Sequence, residues 1–395
     1  MNIPLLDLQA QLAPLRDEIV ARITEVVDST RYIQGPEVQS LEREVAAYCG
    51  AESAVGVSSG TDALLVSLMA LGIGPDDLVI TTPYTFFATM GSIVRLGAKP
   101  LFVDIDPVTY NLDPQCLAEV LDDKKNRDRA KVILPVHLYG QCADMTRIMK
   151  IADTYGIPVV EDAAQAIGAA CPIVENGRTV WRKAGSLGIC GCFSFFPSKN
   201  LGAMGDGGMV VTSDEKLAAK IEILRNHGAE PKYFHDVIGG NFRLDALQAA
   251  ILRVKLSHLA SWHQGRRHNA NRYNEMFKQS GLTAKGLVQP PIAAYQSGDG
   301  AEKQDYHIYN QYVIRVQQRD SLRDFLLKNS IGVEIYYPLA LHQQKCVKGL
   351  GCIEQTFPQA EKAAKETLAL PVYPELTAEM QQYVVDTIAE FYSQP

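Results

Sequence analysis

The sequence predicts an α/β protein in which a large domain, residues 1–255, is built on a mostly parallel sheet. A smaller α/β domain, residues 256–395, follows it. Three observations lead there. At 395 residues the chain exceeds what one ordinary core accommodates. Its first half alternates short, uninterrupted apolar runs with stretches of helical periodicity, the pattern of parallel strands covered on both faces. Its later part repeats that alternation on a smaller scale around a polar loop at 296–303, which follows Pro290 and Pro291.

In order, Val38, Leu41, Val45 and Tyr48 fall at helical spacing, and Gly50 stops that helix. Residues 54–57 read as a strand, and 61–71 as a helix apolar nearly all round, hence buried. Strands at 78–81, 100–104, 131–136 and 157–161 alternate with helices at 86–96 and 145–155. Two further strands, 190–196 and 208–212, lie on either side of a tight Gly205–Gly208 turn. Helices at 245–259 and 262–277, a strand at 309–316, a helix at 321–329, a strand at 332–337 and a last helix at 378–392 complete the order. The mixed-charge run 122–131 reads as a solvated connection.

Hydrophobic residues make up 47% and charged residues 21%, ordinary for a soluble enzyme. A net charge of −7 argues against sequence-independent nucleic-acid binding. No apolar run is long enough to cross a bilayer, and the N-terminus lacks a basic, then apolar, leader, so neither a membrane nor secretion is expected. Eight scattered cysteines (49, 116, 142, 171, 190, 192, 346, 352) suggest reduced thiols in a cytoplasm. Cys190 and Cys192 read as two residues on one face of a strand, not as half of a zinc site.

Three segments carry the chemistry. Ser59-Gly60-Thr61-Asp62 follows a strand and opens a buried helix, where free amides can hold a phosphate; the same residues would also serve as an ordinary N-cap. Asp162 ends an apolar strand, the place where open α/β sheets put ligands, and a carboxylate there needs a partner. Helix capping is its alternative role. Lys199 lies in the apolar stretch Phe193-Ser194-Phe195-Phe196-Pro197-Ser198-Lys199, where desolvation would lower its pKa and make the amine nucleophilic, unless it snorkels out. A phosphate cradle, a buried acid and a sheltered lysine are the parts needed to hold pyridoxal phosphate (PLP), with the lysine as Schiff base and the acid on the pyridinium nitrogen. Gln165 shares a helical face with Asp162, Phe86 could stack on a ring, Ser194 could donate to a phosphate, and Asn241 and Arg243 suit an anion.

Together with Gly35-Pro36-Glu37-Val38, Asp104-Ile105-Asp106, Glu161-Asp162-Ala163-Ala164-Gln165, Gly205-Asp206-Gly207-Gly208, Asn241-Phe242-Arg243-Leu244 and Tyr337-Pro338, these segments resemble the DegT/DnrJ/EryC1/StrS sugar aminotransferases nearly end to end. The resemblance implies the PLP-dependent fold type I of aspartate aminotransferase. It also implies Lys199 as the Schiff-base lysine, Asp162 as pyridinium partner, Gln165 on the ring oxygen and Phe86 on the ring face. Gly60, Thr61 and Ser194 would hold the phosphate, joined by Asn241 from the second subunit of a homodimer with shared active sites. Segments 104–114 and 138–144 resemble the branch that aminates UDP-2-acetamido-2-deoxy-3-oxo-glucuronate in O-antigen synthesis. The segment 171–185 is longer than is usual for the family.

The expected reaction moves an amino group from L-glutamate to a nucleotide-linked keto-sugar, with Lys199 as the proton shuttle. Arg243, His307, Tyr309 and His342 are candidate contacts to the sugar nucleotide. The rivals are a dTDP-keto-6-deoxysugar acceptor, a sugar dehydratase, which would carry His in place of Lys199, and a non-catalytic PLP-binding regulator.

Overall fold

A computed structural model describes residues 1–175, 177–350 and 355–393. Nine strands precede residue 213: β1 (Ser53–Val57), β2 (Leu78–Thr81), β3 (Lys99–Phe102), β4 (Ala130–Ile133), β5 (Val160–Asp162), β6 (Ala170–Glu175), β7 (Arg178–Lys183), β8 (Cys190–Ser194) and β9 (Gly208–Thr212). β3, β2 and β4 pair in parallel, and β5 pairs in parallel with β8. Parallel bridges Ile133↔Val159 and Val136↔Asp162 join the two groups. The order across this sheet is therefore β3-β2-β4-β5-β8-β9-β1. β9 alone runs against its neighbours, pairing antiparallel with both β1 and β8. All residues of β2 and β9 are buried, which is why their sequences read as unbroken apolar runs.

The Gly60–Ala70 helix lies under this sheet with most of its residues buried, its first turn capped by Ser59 Oγ, which accepts the Asp62 N–H at 3.0 Å. Gly50 ends the Pro36–Cys49 helix in a left-handed conformation, φ +76°.

Beyond residue 287, β10 (Val288–Gln289), β11 (Tyr312–Val316) and β12 (Thr367–Leu370) form an antiparallel sheet in that order. Here the sequence reading needs correction. Residues 332–337 form no strand. β11 already has a neighbour on each side, so this stretch reaches only the outer edge of β12, through the single Glu334↔Ala369 bridge. The charged run 122–131 contains a short helix, Lys124–Arg129, capped by Asp123 accepting the Lys125 N–H. The long segment 171–185 is accounted for by the β6–β7 hairpin, whose Trp181 donates to the Asp299 carbonyl at 2.8 Å.

The Leu259–Gln279 helix connects two apolar clusters. Leu259 and Trp262 pack into the cluster on the face of the large sheet opposite the Gly60–Ala70 helix, and Ala270, Tyr273 and Phe277 into the one around β11 and β12. Ile3 joins the second cluster and bridges Ile331 in parallel. At mid-helix, Arg266 is buried and donates to the carbonyls of Tyr309 and Val372 at 3.0 and 2.8 Å.

Seven cysteines are free thiols, Cys190 and Cys192 both buried on β8; Cys352 lies outside the described residues. Among the described residues no helix is long and apolar enough to cross a membrane, and no group of His, Cys, Asp or Glu is arranged to hold a metal.

Candidate active site

The C-terminal ends of β5 and β8 and the N-terminus of the Gly60–Ala70 helix open onto one cavity of about 430 Å³. Ser59, Gly60, Thr61, Phe86, Asp162, Gln165, Ser194 and Lys199 all line it. The residues singled out for the cofactor, Asn241 apart, thus converge from four separate stretches of sequence.

Asp162 ends β5 and is buried. Its Oδ2 accepts the Thr89 hydroxyl at 2.8 Å and its Oδ1 the Ala164 N–H at 3.3 Å. Burial raises its pKa above the ordinary carboxylate range, opposed by the Thr89 and Ala164 hydrogen bonds and by the charge of Lys199. Lys199 follows β8 in a turn closed by its own N–H on the Phe196 carbonyl at 2.8 Å. The residue is half-buried, yet its amine is desolvated, which lowers its pKa to about 8; Asp162 pulls the other way.

Gly60 lies against Ser194. A Cβ at residue 60 would come 2.6 Å from the Ser194 Cβ, so only glycine lets the helix N-terminus meet the end of β8. Phe86, at the N-terminus of the Phe87–Arg95 helix, is 62% exposed, an apolar ring face at the cavity wall with nothing packed on most of it. Gln165 accepts the Tyr139 N–H at 2.7 Å and donates to the Tyr337 hydroxyl at 2.8 Å.

Other predicted residues lie elsewhere. Asn241 is exposed and outside the lining of its own chain's cavity. Arg243 is outside it too, donating to Asn226 Oδ1 at 2.9 Å while its buried Nε has no partner. His307 is buried and stacked on Tyr309, ring centroids 3.8 Å apart, and accepts the Tyr309 N–H at 3.0 Å; burial drives its pKa down to about 3. His342 lies 3.2 Å from Glu361 and packs against Phe357. Arg243, His307, Tyr309 and His342 all lie outside the cavity lining.

Several lining and supporting residues were given no role by the sequence reading. Thr89 sits three residues after Phe86 on the helix that follows β2, and only the fold brings it to Asp162. Tyr336, Tyr337 and Gln311 reach the cavity from the C-terminal part of the chain. Behind Asp162, the buried Glu161 accepts the N–H groups of Gly185, Leu187 and Gly188, each at 2.7 Å. It also lies 2.8 Å from His137 Nε2. Since His137 Nδ1 accepts the Ala143 N–H at 3.1 Å, Nε2 carries the proton and donates to Glu161.

These residues fit pyridoxal phosphate. The glycine-tight helix N-terminus suits a phosphate, the open face of Phe86 suits an aromatic ring, Asp162 retains capacity for another donor, and Lys199 offers a partly neutral amine.

Known proteins resemble the chain over its full length. A "pleiotropic regulatory protein" of Geobacillus stearothermophilus is 49% identical over 99% of each chain. A UDP-N-acetyl-3-dehydro-α-D-glucosamine 3-aminotransferase of Acidithiobacillus ferrooxidans is 44% identical over 95% of this chain and 94% of its own. A UDP-2-acetamido-2-deoxy-3-oxo-D-glucuronate aminotransferase of Pseudomonas aeruginosa is 40% identical over 95% and 96%. Among solved structures, DesV of S. venezuelae in complex with a ketimine intermediate superposes with a TM-score of 0.88 at 38% identity, covering 100% of this chain and 99% of that one. The model of the DegT/DnrJ/EryC1/StrS aminotransferases matches residues 14–389, and the chain belongs to that family of pyridoxal-phosphate-dependent enzymes.

Proposed function

We propose that the enzyme transfers an amino group from L-glutamate to a UDP-linked 3-keto-sugar, UDP-2-acetamido-2-deoxy-3-oxo-glucuronate, in the cytoplasmic synthesis of a cell-surface polysaccharide. One observation carries the chemistry: Lys199 and Asp162 face a single cavity beside the Gly60–Ser194 contact. The names of the 44% and 40% identical relatives both carry a UDP-sugar with a ketone at C3, and the second of them supports the uronate.

Bound pyridoxal phosphate supplies an aldehyde that carries the amino group between donor and acceptor and a ring that takes up electrons. The chain does the rest. Gly60, Thr61 and Ser194 hold the phosphate, and Phe86 covers a ring face. Asp162, whose oxygens accept from Thr89 and Ala164, would hold the proton on the ring nitrogen. Lys199 Nζ, with a pKa near 8, both gives and takes a proton at neutral pH and moves it between the reacting carbons. Arg243 and Asn241 lie outside this cavity and would serve the site of a second subunit. The exposed Tyr233, Phe234 and Ile238 just before them support a homodimeric contact there.

The test incubates the purified holoenzyme with L-glutamate and a panel of nucleotide keto-sugars and follows product mass. Amination of the UDP-3-keto-uronate supports the proposal. Turnover of a dTDP-6-deoxy-keto-sugar alone would replace it with the dTDP-keto-6-deoxysugar reading. The name of the 49% identical relative favours a regulatory reading; a PLP-loaded protein that turns over no acceptor would support that one.

A further inference from the structure

The amide of Gln165 has its orientation decided by its neighbours. The Tyr139 N–H can only donate, so the Gln165 atom it meets at 2.7 Å is the carbonyl oxygen. The amide nitrogen is then the atom 2.8 Å from the Tyr337 hydroxyl, and it donates one of its two hydrogens there. The second hydrogen is left for the cavity that Gln165 shares with Lys199 and Asp162.

Tyr337 cannot easily move. Its ring meets Tyr84 edge-on at 5.3 Å and lies nearly parallel to Tyr139 at 6.1 Å. Tyr84 is fixed in turn by hydroxyl contacts to Tyr139 at 3.0 Å and Thr367 at 2.7 Å. Thr367 begins β12, so the orientation of a residue beside Asp162 is tied to the C-terminal sheet.

We propose that Tyr337 is a positioning residue: by accepting from Gln165 it holds that amide so that only a donor faces the cavity, which favours an anionic ring oxygen on the bound cofactor. This rests on the PLP reading above. The charged groups facing the same cavity are Asp162 at the end of β5, Lys199 after β8 and Asp206 in the turn before β9. Burial pushes the Tyr84, Tyr139 and Tyr337 hydroxyls above their ordinary range, so these groups stay neutral at the pH values of the test.

An anionic oxygen stabilised by a donor lets the proton on the lysine-linked nitrogen leave at lower pH. The readout is the pH midpoint of the visible band of the holoenzyme. Gln165→Leu should raise that midpoint by about one pH unit. Tyr337→Phe should raise it by less, and the double variant should match Gln165→Leu alone, since Tyr337 acts only through Gln165. Gln165→Glu keeps the bond to the Tyr139 N–H and can accept from Tyr337, so it tests the same point if Tyr337→Phe does not fold. It should raise the midpoint at least as much as leucine does. An unchanged midpoint in Tyr337→Phe, the same shift with and without Gln165, or no shift in Gln165→Glu would each overturn the proposal. A wild-type protein that shows no visible band with PLP would instead overturn the cofactor reading beneath it.

Discussion

The Thr89 hydroxyl donates to Asp162 Oδ2 at 2.8 Å, and Thr85 Oγ1, 3.1 Å from Thr89 Oγ1, donates to it in turn. Two residues of the loop and helix after β2 thus hold a carboxylate at the end of β5. Removing the first link with Thr89→Val leaves a buried oxygen one bond short. We expect turnover to fall about tenfold with KM for the donor little changed, read by steady-state kinetics.

Asp162 costs the empty protein stability. Burial raises its folded pKa above the ordinary carboxyl range, so the folded chain binds that proton more tightly than the unfolded chain does. This contribution is complete below the ordinary carboxyl range and is lost as pH rises through the folded value. Apo Asp162→Asn should therefore melt at or above the wild-type temperature near pH 7, the gap closing on acidification toward about pH 4. The loaded variant should lose turnover by on the order of 10²–10³-fold. Calorimetry and kinetics on one preparation check both.

Lys199 must be neutral to attack an aldehyde. With its pKa lowered to about 8, the rate at which apoprotein captures PLP should climb with pH and level off just above 8. A midpoint near the ordinary 10.5 would mean a solvated amine. Lys199→Ala should capture no PLP covalently, shown by borohydride reduction and mass spectrometry, yet should still bind pyridoxamine phosphate.

Gly60→Ala forces a methyl group onto Ser194. Overpacking of this kind costs about 1–3 kcal/mol, and the amides that would hold the phosphate move with it. PLP affinity should drop tenfold or more by equilibrium titration. Gly60→Ala with Ser194→Gly should recover the melting temperature, which separates a steric cause from a chemical one.

Glu161→Gln should be destabilising without touching the cavity. The carboxylate receives three backbone N–H groups and the His137 Nε2–H. An amide puts a donor where an acceptor is required, at a cost of about 3 kcal/mol in urea unfolding.

The strands of the large sheet were legible because burial on both faces makes their sequences continuously apolar. Lys199, Asp162 and Gly60 were legible because each sits at a strand end or helix start, where the local sequence already limits its role. Residues 332–337 misled because their sequence pattern is that of a strand, yet they make only the single Glu334↔Ala369 bridge at the edge of β12. Thr89 carried no local signal, and Tyr337 stood out only within the Tyr337-Pro338 motif, which says nothing of its contact to Gln165. Their partners, Asp162 and Gln165, are 73 and 172 residues away in the chain. His307, Tyr309 and His342 drew attention by residue type, and such side chains more often settle into packing than into a binding site.

The Leu259–Gln279 helix has its two ends rooted in different cores, and Arg266 ties its middle to the chain just before β11 and just after β12 through the Tyr309 and Val372 carbonyls. A stiff rod of that kind cannot let one half of the molecule loosen alone. Heat or denaturant should therefore dismantle both halves in a single cooperative step, and saturating vitamin B6 phosphate should delay the melting of both by the same number of degrees.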